Sequence, residues 1–159
     1  MIFVTVGSDI PFDRLLKAVD SWARENKRQD VFAQIGTRAW KPDFIPFTPM
    51  LSPAEFRERL IACSVVVGHA GMGTILSALG HSKPILVMPR RLALNETRND
   101  HQMATAQHLL AMDKINVAFD ETELRAKLDH LDALIPRETI PPVATGPLID
   151  GLRNFILGS

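Results

Sequence analysis

Two stretches of this sequence concentrate residue types that can hold a phosphate and a sugar. The first, Val67-Gly68-His69-Ala70-Gly71-Met72-Gly73-Thr74, lies between an apolar β-branched run and a helical pattern. Glycines in such a turn let the backbone approach a ligand closely. The free N–H groups and positive dipole end of the incoming helix suit an anion. The plain alternative is a tight turn whose glycines only supply backbone angles that other residues avoid. No Gly-Lys-Ser/Thr follows, so this is not a Walker motif. The dinucleotide fingerprint belongs after the first strand, where this chain has Gly7-Ser8-Asp9-Ile10-Pro11, and no acidic residue ends the second strand. NAD and ATP chemistry are therefore set aside.

The second stretch runs from Pro89 to Gln102 and is rich in charge and amides. Arg90, Arg91 and Arg98 can neutralise phosphates, and the arginine fork suits bidentate recognition of oxygen. Glu96, Asn99, Asp100 and Gln102 offer the donors and acceptors that sugar or ribose hydroxyls require. Read blandly, Asn99 or Asp100 is a helix cap and the arginines are a solvated loop. A metal held by His69, His101, Asp100 and Glu96 finds no support in their spacing. No structural metal and no cofactor are expected.

The elements that must position these stretches alternate along the chain. Residues 2–6 form a short β-branched run closed by Gly7-Ser8, and residues 12–24 carry Leu15, Leu16, Val19 and Trp22 at helical spacing. Strands are expected over 31–35, 64–67, 85–88 and 115–119, with a short extended piece over 44–47 between prolines. Ser52, Pro53 and Glu55 make a capping-box start for a helix that carries Phe56, Leu60 and Ile61. Further helices are expected to begin at Thr74, at Asp100 and after Asp120, the last running through Leu131. This alternation specifies an α/β, Rossmann-like parallel sheet with helices on both faces. Such sheets bind ligands outside the carboxyl ends of their strands. Both chemical stretches fall there, together with Gly7, Ser8 and Gly36. The domain is read as residues 1–134. Residues 135–159, with Pro136, Pro141, Pro142 and Pro147 before an apolar stretch over 148–157, read as a strap and terminal helix packed on the domain or on a partner.

The totals narrow the function further. The chain has 159 residues, 46% of them apolar, which fits one domain with a real core. Lys plus Arg and Asp plus Glu balance at 18 each, which argues against a general nucleic-acid binder. The single cysteine, Cys63, excludes an internal disulfide, fits a reducing compartment and reads as core. No apolar run approaches a membrane span, and the start lacks the basic region of a signal peptide. A cytoplasmic protein is expected, with membrane contact only through a partner.

The turn over 68–74 followed by Glu96-Thr97-Arg98-Asn99-Asp100-His101-Gln102 resembles the C-terminal domain of family 28 glycosyltransferases. The likeness runs from Met1 to about Phe119. It extends to the opening Ile2-Phe3-Val4-Thr5-Val6-Gly7-Ser8 and to Gln34-Ile35-Gly36. It is greatest to free-standing soluble subunits of split enzymes: the eukaryotic transferase of the dolichol pathway and bacterial exopolysaccharide transferases. The resemblance implies a GT-B C-terminal half-fold that binds a UDP-sugar without a structural metal. His69, Ala70, Gly71, Met72, Gly73 and Thr74 would hold the diphosphate or sugar. Gln102 and His101 would face the donor sugar, Glu96 and Asn99 would lie nearby, and Gly7, Ser8 and Gly36 would line the cleft.

Three departures accompany the likeness. Ser77 stands where members often carry an acidic residue for the ribose. Thr97 stands where bacterial members commonly have His. The long loop with Arg90 and Arg91 suits the bacterial group. What the resemblance implies is inverting transfer of GlcNAc, glucose or glucuronate to a polyprenyl-diphosphate-linked acceptor in bacterial polysaccharide synthesis. A membrane-anchored subunit would present that acceptor, placing this chain peripherally at the inner face of the plasma membrane. No catalytic base is assigned; His69 is the in-chain candidate, although a donor contact suits it better. The alternative is a nucleotide-binding regulatory or structural module without turnover, which Ser77 favours and the Asn99-Asp100-His101-Gln102 run opposes.

Overall fold

The computed structural model describes residues 1–8 and 10–134, and the strap and helix expected over 135–159 lie outside the described residues. Six strands form one parallel sheet: β1 (Ile2–Thr5), β2 (Val31–Gln34), β3 (Phe47–Thr48), β4 (Val65–His69), β5 (Ile85–Met88) and β6 (Asn116–Val117). Their order is β3-β2-β1-β4-β5-β6, with every neighbouring pair parallel. The chain builds outward from β1 in one direction, then returns to β4 on the other side. The strand order therefore reverses between β1 and β4, the place where a crevice opens at the carboxyl edge of such a sheet.

Side chains alternate across the sheet with the period of two that a strand imposes. Ile2, Val4, Val65, Val67, Leu86 and Met88 pack on one face against Leu15, Leu16, Val19 and Trp22 of α1 (Asp13–Glu25) and Leu124 and Leu128 of α5 (Glu121–Leu128). Phe3, Val66, Ile85 and Val87 pack on the other face. There they meet Leu60 of α2 (Pro53–Ala62), Ile75, Ala78 and Leu79 of α3 (Met72–Gly80), and Ala106 and Leu109 of α4 (His101–Ala111). The central strands are buried on both faces, as parallel strands under two helical layers must be. Cys63 is buried in this second layer. Among the described residues no helix is long and apolar enough to cross a membrane.

Several boundaries differ from the sequence reading, each for a local reason. The extended piece expected over 44–47 is instead β3 at Phe47–Thr48. Asp20 Oδ1 accepts the N–H groups of Phe44 and Ile45, both at 2.9 Å, so those amides are withdrawn from a strand ladder. Helix α3 begins at Met72 rather than Thr74, with Gly71 as its N-cap and Ile75 N donating to Gly71 O. Strand β6 is two residues long, and α5 ends at Leu128 before a separate 3-10 turn over Leu131–Ala133. The Ser52–Glu55 capping box is present as expected.

Candidate functional site

The carboxyl ends of β1 and β4 lie side by side, Thr5 opposite Gly68. A Cβ at Gly68 would stand 2.5 Å from the Thr5 carbonyl oxygen, so only glycine permits this approach. Just beyond, Gly7 turns the chain away from β1 at φ +76°, and Gly36 does the same after β2 at φ +84°. Beyond the ends of β1 and β4 lies a cavity of about 390 Å³; Gly36, expected to line it, faces the backbone of Gly7 and Ser8 instead. Gly7 and Ser8 wall one side; His69, Gly71, Gly73 and Thr74 wall the other, with Arg90 and Gln102 at its base.

The turn at 69–74 does what its glycines allow. Gly71 sits at φ −86°, ψ 135° as the N-cap of α3, and it brings no side chain to cap the helix. The first N–H groups of a helix have no intrahelical acceptor. At α3 they open toward the cavity that Gly73 and Thr74 line, where an anion would also meet the positive end of the helix dipole. A Cβ on Gly71 would stand 2.3 Å from His69 Cε1, so glycine here makes room for the imidazole rather than for a strained backbone.

His69 is held from below. Its Nδ1 lies 3.1 Å from Arg90 Nη1 and 3.2 Å from Gln102 Nε2. Burial, reinforced by the Arg90 charge, pushes the imidazole down to about 3, so it is neutral through the physiological range. Arg90 is itself only 5% exposed. Its Nη2 donates to the carbonyls of Val6, at 2.7 Å, and Ile10, tying the loop after β1 to the end of β5.

The remaining residues of the polar loop divide between structure and rim. Glu96 is engaged by Arg14 of α1 through two bonds of 2.8 and 2.9 Å, and its Oε1 also accepts Arg91 N–H at 3.1 Å. Arg91 Nη2 donates to Phe119 O at 2.6 Å, away from the cavity. Asp100 stands at the N-cap position of α4, but its side chain makes no capping bond: its Oδ1 accepts Leu92 N–H at 3.2 Å and braces the loop. Asn99 Oδ1 accepts His101 N–H at 3.0 Å, and both residues are exposed and outside the lining of that cavity. The picture of a solvated arginine loop thus fails for Arg90 and holds for exposed Arg98. Arg98 lines an adjoining space of about 400 Å³ with Ile10 and Arg38. Sequence reasoning missed Val6 and Ile10 as cavity walls, and Arg14 as the clamp on Glu96. Neither apolar residue carries a local chemical signal, and Arg14 is 82 positions from its partner.

A second groove of about 490 Å³ adjoins the first through Ser8. Its walls are mostly apolar, with Leu51, Phe56 and Leu60 facing Ser77 and His81. His81 Nδ1 donates to Ser77 O at 2.8 Å, which fixes the ring at the end of α3. Among the described residues, no three His, Cys, Asp or Glu side chains gather as a metal would require.

The strand order and the uncapped helix N-terminus at its switch point make this a doubly wound, Rossmann-like parallel sheet. The glycosyltransferase family 28 C-terminal domain matches residues 1–139, and the chain belongs to that family of glycosyltransferases. No curated protein matches it. Among solved structures, the NMR structure of ALG13 is similar at 18% identity and TM-score 0.62, covering 95% of this chain and 93% of ALG13. Acinetobacter baumannii MurG is similar at 15% identity and TM-score 0.66, covering 97% of this chain and 49% of MurG. CalG4, the calicheamicin glycosyltransferase, is similar at 14% identity and TM-score 0.58, covering 99% of this chain and 38% of its own length. At these identities the likeness establishes the fold. The chain spans nearly all of ALG13 but half or less of the other two.

Proposed function

We propose that this chain is the donor-binding half of an inverting glycosyltransferase. On this reading it moves GlcNAc, glucose or glucuronate from a UDP-sugar to a polyprenyl-diphosphate-linked acceptor in bacterial polysaccharide synthesis. The observation that carries the reading is the cavity at the β1/β4 switch point, into which α3 opens an N-terminus free of any side-chain cap. The diphosphate would lie on the N–H groups at the start of α3. The adjoining apolar groove would take the nucleoside, with Phe56 beside the base and Ser77 and His81 near the ribose. The sugar would then stand at the mouth, within reach of Gln102 and His101.

Transfer requires charge stabilisation on the departing diphosphate and removal of a proton from the acceptor hydroxyl. The helix terminus supplies the first, supported by the buried Arg90 charge. For the second, His69 is unsuited, because an imidazole depressed to about 3 is a weak base. The base is assigned instead to a membrane-anchored partner subunit that presents the lipid-linked acceptor and draws this chain to the inner face of the plasma membrane. Leu92 and Leu94, exposed on the turn beside the crevice, belong to the surface that such a partner would cover. No metal is assigned a role. Calorimetric titration with UDP, UDP-GlcNAc, UDP-glucose and UDP-glucuronate, first without and then with Mg²⁺, tests this reading. Metal-independent binding that is lost in Gly71→Trp and weakened in Gln102→Ala is expected. Absence of binding even with the partner present would sink it.

A further inference from the structure

The groups packed around His69 dictate more than its burial. Arg90 reaches its Nδ1 from the loop after β5, and Gln102 reaches the same atom from α4. At the opposite edge of the ring Gly7 and Gly71 leave space that side chains would fill, since added Cβ atoms would stand 3.1 and 2.7 Å from Nε2. A guanidinium has donors only and stays charged, so the atom it meets must be an acceptor. The Gln102 amide is oriented independently. Its Oε1 accepts Arg90 N–H at 3.2 Å, which turns its NH₂ toward His69. Both contacts therefore require a lone pair on Nδ1, and in a neutral imidazole the proton must then sit on Nε2.

We infer that Arg90 and Gln102 are positioning residues that hold His69 as the neutral Nε2–H tautomer, presenting a fixed hydrogen-bond donor between Gly7 and Gly71. The site then offers an incoming oxygen one N–H from an imidazole beside those at the start of α3. The ring presents no free lone pair to a hydroxyl proton. Depression of the imidazole by burial and by Arg90 acts in the same direction, because protonation would place a third donor on an atom already facing two. That the oxygen belongs to a donor diphosphate or sugar rests on the function proposed above; the tautomer does not.

Imidazole ¹⁵N NMR on the ligand-free protein, across pH 5 to 8, separates the two questions. The expected spectrum has His69 Nδ1 at the unprotonated position and Nε2 at the protonated position, unchanged across that range. In near-isosteric Gln102→Glu a carboxylate replaces one donor at Nδ1. There proton density should move onto Nδ1, so that the Nδ1 and Nε2 resonances shift toward each other within that pH range. Gln102→Met should leave the Nε2–H tautomer in place through Arg90 alone. A wild-type His69 that titrates near its ordinary 6.5, or that carries its proton on Nδ1, would overturn the inference. So would a Gln102→Glu spectrum identical to wild type. Adding UDP afterwards reports on the ligand: a shift at His69 Nε2 supports the proposed function. No shift with the tautomer intact would count against that function alone.

Discussion

Replacing Gly71 with alanine separates steric from conformational reasons for a glycine, because the backbone there is ordinary. At φ −86°, ψ 135° alanine is unstrained, so any penalty must come from what the new methyl meets. It meets His69, at 2.3 Å from Cε1, 2.7 Å from Nε2 and 3.0 Å from Nδ1. Carbon–carbon contact is comfortable near 3.5–4.0 Å, so the ring must retreat by about 1 Å or more. That displacement stretches its contacts to Arg90 and Gln102. Overpacking a tight site costs about 1–3 kcal/mol and a disrupted hydrogen bond about 0.5–1.5. Gly71→Ala is therefore expected to lose about 2–3 kcal/mol in urea unfolding, with the midpoint lowered and the slope unchanged. In a His69→Ala background the methyl has room, and Gly71→Ala should then lie within about 0.5 kcal/mol of neutral. A full penalty in both backgrounds, or none in either, would refute the assignment of this glycine to the imidazole.

Other outcomes follow from the same geometry. Gly73→Ala meets no atom within 4 Å and sits in the first turn of α3, so it should raise stability by up to about 0.5–1 kcal/mol. Because Gly73 lines the cavity, the same variant should weaken UDP binding in calorimetry. Arg14→Met removes the clamp on Glu96 and should cost about 2 kcal/mol while exposing residues 89–99 to limited proteolysis. His69 is held below its ordinary value, so the unfolded chain takes up the proton first. Its contribution to stability is complete above pH 6.5 and falls by about 1.4 kcal/mol per pH unit below it, toward pH 3. Carboxylates such as Asp30, lowered by Arg28, add acid sensitivity of the same sign at lower pH. The comparison that isolates the histidine is therefore wild type against His69→Asn in urea titrations from pH 7 to 4.5, where only the wild type should show the extra slope.

What could be read from the sequence was what neighbouring residues decide. Strand 85–88 came out at its observed bounds because a β-branched and aliphatic run is bracketed by Pro84 and Pro89. The α2 start was legible because Ser52 and Glu55 act on each other's backbone across three positions. The start of α3 was placed two residues late, because Gly71 and Gly73 have poor helix propensity while the fold sets Gly71 as the cap. The glycine turn and Gly7 could be read as neighbours because both follow strands on the same edge of the sheet, and Gln102 joins them from the first turn of α4. The roles of Glu96, Arg90 and Asp100 were not. Each is set by a partner brought close only by folding, Arg14 for Glu96 and Val6 and Ile10 for Arg90, or by a backbone amide within the loop's own tertiary shape, Leu92 for Asp100.

The central claim is that a nucleotide binds at the β1/β4 crevice, and amide NMR of the chain titrated with UDP tests it residue by residue. The largest shifts should fall on Gly7, Ser8, Gly71, Gly73, Thr74 and Gln102, with a second group at Leu51, Phe56 and Ser77 along the adjoining groove. A larger space of about 500 Å³ lies at the opposite edge of the sheet, between Arg28, Lys83 and Asp129. Shifts confined to that edge would contradict the account.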